Sequence, residues 1–189
     1  MLFRSLSISY RFSLSQMCIL SYNFLLKSNI ISKMALEIER KFLVDHDAWE
    51  KVDRPVGVPF RQGYIVKDQQ KVVRVRITPD SGFITIKGES KGAVRSEFEY
   101  PIPREDANEL LELFCSYEVA KRRYFMSFRA KTWEVDVFEG KNSGLIVAEI
   151  ELNSADELFE KPDWVGEEVT EDPRYYNAFL AEHPYAEWM

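Results

Sequence analysis

The chain has 189 residues, 46% of them hydrophobic, and a formal net charge of −6; this is enough for one domain with a real core and excludes a disordered chain. Residues 1–33 carry Arg4, Arg11, Lys27 and Lys33 and no acid, so the rest holds 21 basic against 31 acidic residues, a body too acidic for sequence-independent binding to nucleic acid. With only Cys18, Cys115, His46 and His183 available, there is no zinc-ligand spacing and no disulfide framework; a reducing compartment, the cytoplasm, fits, and any metal should be a hard, oxygen-ligated Mg²⁺ or Mn²⁺.

Residues 1–33 are serine-rich, in the manner of a transit peptide. Their best apolar stretch, Cys18 to Leu26, is interrupted by Ser21, Tyr22 and Asn23 and is too short to span a bilayer. The change of composition at Met34 predicts an extension, disordered or upstream of the true start, followed by a single domain over 34–189. Oligomeric state is not readable from the sequence.

From Met34 onward, apolar and polar residues alternate with period two over Leu36 to Val44, a segment beginning near Arg61, Lys71 to Ile77, Gly82 to Lys87, Val94 to Tyr100, Lys121 to Phe128, Thr132 to Phe138, and Leu145 to Leu152. Pro79-Asp80-Ser81-Gly82 and Glu139 to Gly144 read as hairpin connections. About eight antiparallel strands result. Pro103 followed by Glu105 and Asp106, with Leu110, Leu111 and Phe114 at helical spacing, predicts an amphipathic helix. A C-terminal helix is expected from Pro173 through Leu180 with Asp172 as cap, and a short one over Ser154 to Phe159.

Side chains alternate across a strand, so parity sorts each segment into two faces. One collects Glu37, Glu39, Lys41, Arg74, Arg76, Thr85, Lys87, Arg95, Glu97, Glu99, Lys121, Arg123, Glu134, Asp136, Glu149 and Glu151. The other is apolar, with Ile38, Phe42, Val75, Ile77, Trp133, Val135, Ala148 and Ile150 among its members. A solvated face on each of several half-buried strands accounts for any one pair. It accounts poorly for Arg beside Arg and Glu beside Glu at i, i+2, because neighbouring like charges repel unless an opposite charge lies between them. An eight-stranded barrel is wide enough for its own side chains or one small ligand. With the charged faces inward, its cations would hold a polyanion and its carboxylates one or two divalent cations. The predicted helices would then cover part of the apolar outside.

The runs E-I-E-R-K at 37–41, R-V-R at 74–76, T-I-K at 85–87, R-S-E-F-E at 95–99, K-R-R at 121–123 and E-I-E at 149–151 together resemble the CYTH domain, or triphosphate tunnel metalloenzyme, superfamily. The resemblance extends from Met34 to the end, and the C-terminal stretch is similar to the compact bacterial branch. It implies a mainly β fold, a closed eight-stranded antiparallel tunnel with flanking helices and a C-terminal helix, and Mg²⁺- or Mn²⁺-dependent hydrolysis of a small triphosphate. It also implies roles. Glu37, Glu39, Glu149 and Glu151 would serve the metal, while Lys41, Arg74, Arg76, Lys87, Arg95, Lys121 and Arg123 would grip phosphate oxygens. Glu97, Glu99 and Asp136 would either join the metal set or hold the basic side chains. Glu37, Glu39 and Lys41 form the catalytic group, with either glutamate as general base. Inorganic triphosphate is the favoured substrate; an adenylate cyclase of class IV type or a non-catalytic polyphosphate- or nucleotide-binding module are the alternatives.

Overall fold

The structure is a computed structural model that describes residues 35–68, 70–89 and 94–188, with only the backbone of Ala35 to Glu37, Val94 and Arg95. The expectation for residues 1–33 lies outside the described residues. In chain order the elements are β1 (Ala35–Val44), α1 (His46–Trp49), β2 (Val58–Lys67), β3 (Lys71–Ile77), β4 (Gly82–Gly88), β5 (Val94–Ile102), α2 (Arg104–Phe114), β6 (Glu118–Phe128), β7 (Lys131–Phe138), β8 (Ile146–Glu151), β9 (Val165–Glu168) and α3 (Asn177–Glu182).

The strands run antiparallel in the order β5-β4-β3-β2-β6-β7-β8-β1-β9. β1 is long enough to serve three neighbours: Glu39 to Leu43 pair with β8, Ala35 to Ile38 pair with β5, and its last residues pair with β9. The pairing with β5 brings the far end of the sheet back to β1 and makes the eight strands a ring, which removes the free edges of an open sheet. The hairpin foreseen at Pro79 to Gly82 is closed by Thr78 and Ser81, whose backbone bond is 2.9 Å. In the turn between β7 and β8, Gly140 and Gly144 have φ of 63° and 93°, a left-handed backbone that favours glycine.

The apolar outside of the ring is covered in two places. α2 starts after Pro103, has Glu105 and Asp106 in its first turn, and buries Ala107 and Leu111 on Val75 and Ile77. Gly82 allows this approach: a Cβ there would stand 2.4 Å from the Ala107 Cβ. On the other flank Ile38, Phe42, Trp133, Val135, Ala148 and Ile150 pack with Trp49 of α1 and with Trp164. The rings meet edge to face, with Phe42–Trp133 centroids 5.6 Å apart and Trp49–Trp164 5.5 Å, a geometry worth about 0.5–1.5 kcal/mol per pair beyond area burial.

Several sequence expectations need correction. Residues 154–159 form a bend, a turn and irregular chain in place of a helix; Glu157 folds back to accept from the Asn153 backbone and side chain, a local bond that competes with helix formation. The C-terminal helix is split into a 3₁₀ turn, Pro173–Tyr175, capped by Asp172 as expected, and α3. The extended backbone of Tyr176 (φ −78°, ψ 134°) interrupts it. Phe114, expected on the apolar stripe of the amphipathic helix, remains 58% exposed.

The largest difference concerns α3, expected on the outside of the barrel. Leu180 and Ala181 instead pack on Val119, Phe138 and Val147, with Leu43 and Tyr64 alongside. Val119 alternates with Lys121, Phe138 with Asp136, Val147 with Glu149 and Leu43 with Lys41, so all four point into the ring. α3 therefore stoppers one end of the lumen and makes the tunnel a cup.

Candidate functional site

Each stave of one wall passes from apolar to charged as it leaves the stoppered end: Leu43, Lys41, Glu39 on β1; Val147, Glu149, Glu151 on β8; Phe138, Asp136, Glu134 on β7; Val119, Lys121, Arg123 on β6. Register then sets the partners, because Lys41 lies opposite Glu149, Glu39 opposite Glu151, Arg123 opposite Asp136 and Glu134 opposite Glu149. Lys41 Nζ contacts Glu149 and lies 2.9 Å from Glu39 Oε1. Arg123 makes a two-pronged contact with Asp136, Nε to Oδ1 at 2.7 Å and an outer nitrogen to Oδ2 at 2.6 Å. It also reaches Glu149 at 2.9 Å and touches Glu134. Lys121 contacts Asp136 and lies 3.3 Å from Asn177 Oδ1 on α3. Asp136 is fully buried.

The wall formed by β3, β4 and β5 is built more loosely. An Arg74 terminal nitrogen lies 3.0 Å from Thr85 Oγ1, 3.3 Å from Glu99 and 3.6 Å from Glu97. Arg76 is 2.7 Å from Glu99, to which the Thr85 hydroxyl donates at 2.8 Å, and Lys87 is 2.6 Å from Glu97. The side chain of Glu99 is 31% exposed.

Burial and charge compete at each buried group. For Glu149, burial would raise the carboxyl, but Lys41, Arg123 and Lys121 outweigh it and hold the group well below its ordinary range. Burial likewise opposes the charge of Lys41, and Glu149 and Glu39 reverse the balance and raise it. At Lys121 burial prevails with the help of Arg123, and the ammonium drops to about 8 despite Asp136 and Glu149.

The structure therefore brings together Glu39, Lys41, Arg74, Arg76, Lys87, Glu97, Glu99, Lys121, Arg123, Asp136, Glu149 and Glu151 on the lumen face of the ring. Glu37 and Arg95 are opposite each other in the β1–β5 register, and their side chains lie outside the described residues. Among the described residues, Glu134, Thr85, Gln62 and Asn177 also line the lumen and were not among the predicted site residues. Glu134 and Thr85 share the parity that marked the others. Gln62 lies in β2, a strand expected from near Arg61, to whose side chains the sequence pattern assigned no face. Asn177 had no local signal, since its place follows from the docking of α3.

The donors offered to a metal are hard carboxylate oxygens, which fit Mg²⁺ or Mn²⁺. Glu39 and the exposed Glu151 oppose each other on neighbouring strands, whereas the two oxygens of Glu149 face Lys41 and Arg123. Among the described residues no three carboxylates already stand close enough to form a metal cage.

A ring of antiparallel strands with opposed cations and carboxylates on its inner wall defines the class: the CYTH domain model matches residues 35–178, and the chain belongs to that family. An inorganic triphosphatase of Acetivibrio thermocellus is 50% identical over 153 residues, which cover 80% of this chain and 97% of that protein. One of Nitrosomonas europaea is 38% identical over 149 residues, 77% of this chain and 96% of that protein. The crystal structure of an inorganic triphosphatase superposes with a TM-score of 0.57 at 37% identity, over 78% of this chain and 95% of that one.

Proposed function

We propose that this chain is a divalent-metal-dependent hydrolase that cleaves inorganic triphosphate into pyrophosphate and phosphate inside the stoppered barrel. The observation that carries the reading is the inner wall itself, where Lys41, Arg74, Arg76, Lys87, Lys121 and Arg123 converge, each within ion-pair reach of a carboxylate. A phosphate chain offers the same oxygen acceptors as these carboxylates and can take their place on the guanidinium and ammonium groups. The carboxylates so released, together with Glu39 and Glu151, would then face an anion, a repulsion that a divalent cation relieves. Substrate and metal should accordingly strengthen each other's binding.

Glu37, Glu39 and Glu151 would hold the metal, and Glu149 would be free to join them where phosphate occupies Lys41 and Arg123. Bound Mg²⁺ or Mn²⁺ supplies charge neutralisation of the phosphates and a lower pKa for water. The protein's own part is positioning and electrostatic stabilisation. The cations fix the chain in line for attack of a water oxygen on a terminal phosphorus. The bridging P–O bond breaks with its electrons on the departing pyrophosphate, and a carboxylate of the Glu37–Glu39 pair takes the water's proton. Asp136, which Lys121 and Arg123 share, holds those two side chains in place, and Glu97 and Glu99 hold Lys87, Arg74 and Arg76 until phosphate arrives.

The same reading takes 34–189 as one domain with 1–33 outside it, supported by a family match that begins at residue 35. The acidic body and the two cysteines support a cytoplasmic protein without nucleic-acid partners, and no helix among the described residues is long and apolar enough to cross a membrane.

Purified protein supplied with tripolyphosphate, ATP and thiamine triphosphate in Mg²⁺ or Mn²⁺ tests the assignment. Preferential phosphate release from tripolyphosphate is expected; cyclic AMP from ATP, or binding without turnover, would replace it by a cyclase or a binding module. Glu39→Gln should lower turnover about a hundredfold. Unchanged turnover in that variant would remove Glu39 from the metal and base roles.

A further inference from the structure

Gln62 is 0% exposed, and its Oε1 is a buried acceptor without a hydrogen-bond partner among the described residues. Buried polar atoms are nearly always paired, so an orphan on a site wall calls for a ligand. Trp133 Nε1 is also unpartnered, but it lies in the apolar flank outside the ring. Gln62 lies on the lumen side: register sets it opposite Arg76 of β3 and Val119 of β6. Its neighbour Gly63 faces the other way, where a Cβ would stand 2.7 Å from Cys115.

The other end of the side chain is held, Nε2 donating to Tyr64 Oη at 2.7 Å. Arg74 Nε and Arg76 Nε, on the adjoining strand, also have no partner among the described residues. Without a ligand, then, a carbonyl end shares the lumen face with the cross-strand neighbour Arg76, and a carbonyl dipole beside a cation is electrostatically favourable. A polyanion gripped by those guanidiniums reverses the requirement, since it presents only acceptors. The terminal torsion of glutamine is soft and roughly two-fold, so a half-turn exchanges the oxygen and the nitrogen in nearly the same volume.

We propose that Gln62 is a phosphate-contacting residue that turns its amide when the anion enters: Tyr64 Oη then donates to Oε1, and Nε2 donates to a phosphate oxygen. This rests on the triphosphate reading of the site and adds to it a neutral contact beside the charged clamps. No proton or electron changes owner.

The test compares wild type, Gln62→Met and Gln62→Glu in kcat and KM for tripolyphosphate at saturating Mg²⁺ across neutral to acid pH, with thermal unfolding as the control for folding. Gln62→Met should lose about ten- to a hundredfold in kcat/KM, the usual range for a lost hydrogen bond to a charged group. Gln62→Glu should lose more near neutral pH, where a carboxylate repels phosphate. It should recover toward wild type as the pH falls, because a protonated carboxyl regains one donor in the amide's place. A residue that merely supports the wall would show a loss independent of pH, and that result overturns the proposal. So does a Gln62→Met enzyme within about twofold of wild type, or a Gln62→Glu enzyme fully active near neutral pH, which would make Gln62 an acceptor. If Gln62→Met does not fold, the pH profile of the isosteric Gln62→Glu decides alone. A wild type that releases no phosphate from tripolyphosphate removes the site assignment and this inference together, whereas an active wild type with unaffected variants removes only Gln62.

Discussion

The two walls of the lumen use the same residue types and differ in how tightly those residues are held. On β6, β7, β8 and β1, the Lys121, Arg123 and Asp136 side chains are 2%, 9% and 0% exposed, and Glu149 bridges Lys41 and Arg123. On β3, β4 and β5, Arg74 and Arg76 share one carboxylate, Glu99, that is partly open to solvent. The tight wall adds little net stability as an assembly, because desolvation offsets attraction, but it is costly to break. The loose wall can exchange a carboxylate for a phosphate oxygen with less to lose. Division of labour follows: the loose wall hands its cations over readily, whereas the tight wall holds its shape and gives up Lys41 and Arg123 from Glu149 only at greater cost.

The largest effect is expected from Arg123→Ala on the tight wall, which leaves Asp136 and Glu149 buried with one cation fewer. A loss of about 3–5 kcal/mol in unfolding free energy is expected, measured by chemical denaturation; a loss below about 1 kcal/mol would make the two walls alike. Arg76→Ala on the loose wall should behave in the opposite manner. Its kcat/KM for tripolyphosphate should fall about a hundredfold, equivalent to about 3 kcal/mol of transition-state stabilisation, with little change in melting temperature.

The smallest effect is expected from Glu99→Gln, read against pH. Burial would raise the Glu99 carboxyl, but Arg76, Thr85 and Arg74 lower it below its ordinary value. A depressed carboxylate stabilises the fold fully above its unfolded pKa of about 4.3, and that contribution disappears as the pH falls through the lower folded value. For this half-exposed group solvent screening keeps it below about 1 kcal/mol. Acid denaturation of Glu99→Gln should therefore nearly overlay that of wild type. Glu149 has the same sign and lies further down, so its carboxylate should remain charged to lower pH than Glu99; following both carboxyl resonances by NMR titration checks the order.

Much of the site was legible because the strand is a local device. Its period of two needs no partner, so parity alone placed Lys41, Arg74, Arg76, Lys87, Lys121 and Arg123 on one face with Glu39, Asp136 and Glu149. The same rule sent Phe42, Val75 and Trp133 to the other face, where all three are fully buried. Helix signals failed where bonding was local but unusual: Glu157 returns to Asn153, and Tyr176 breaks the C-terminal helix. β9 and α1 are four residues each, too short for any periodicity to appear.

What the chain determined by itself was which side chains share a face, since alternation along a strand is set by backbone geometry within a few residues. Only tertiary structure decided that Glu149 would lie between Lys41 and Arg123 and that Glu39 would meet Glu151, because register joins residues far apart in sequence. It also decided that α3 would turn its Leu180 and Ala181 into the barrel end and make a cup of a tunnel. An amphipathic helix carries an apolar stripe but no address: the surface it buries against is chosen by whichever apolar face remains uncovered once the ring has closed.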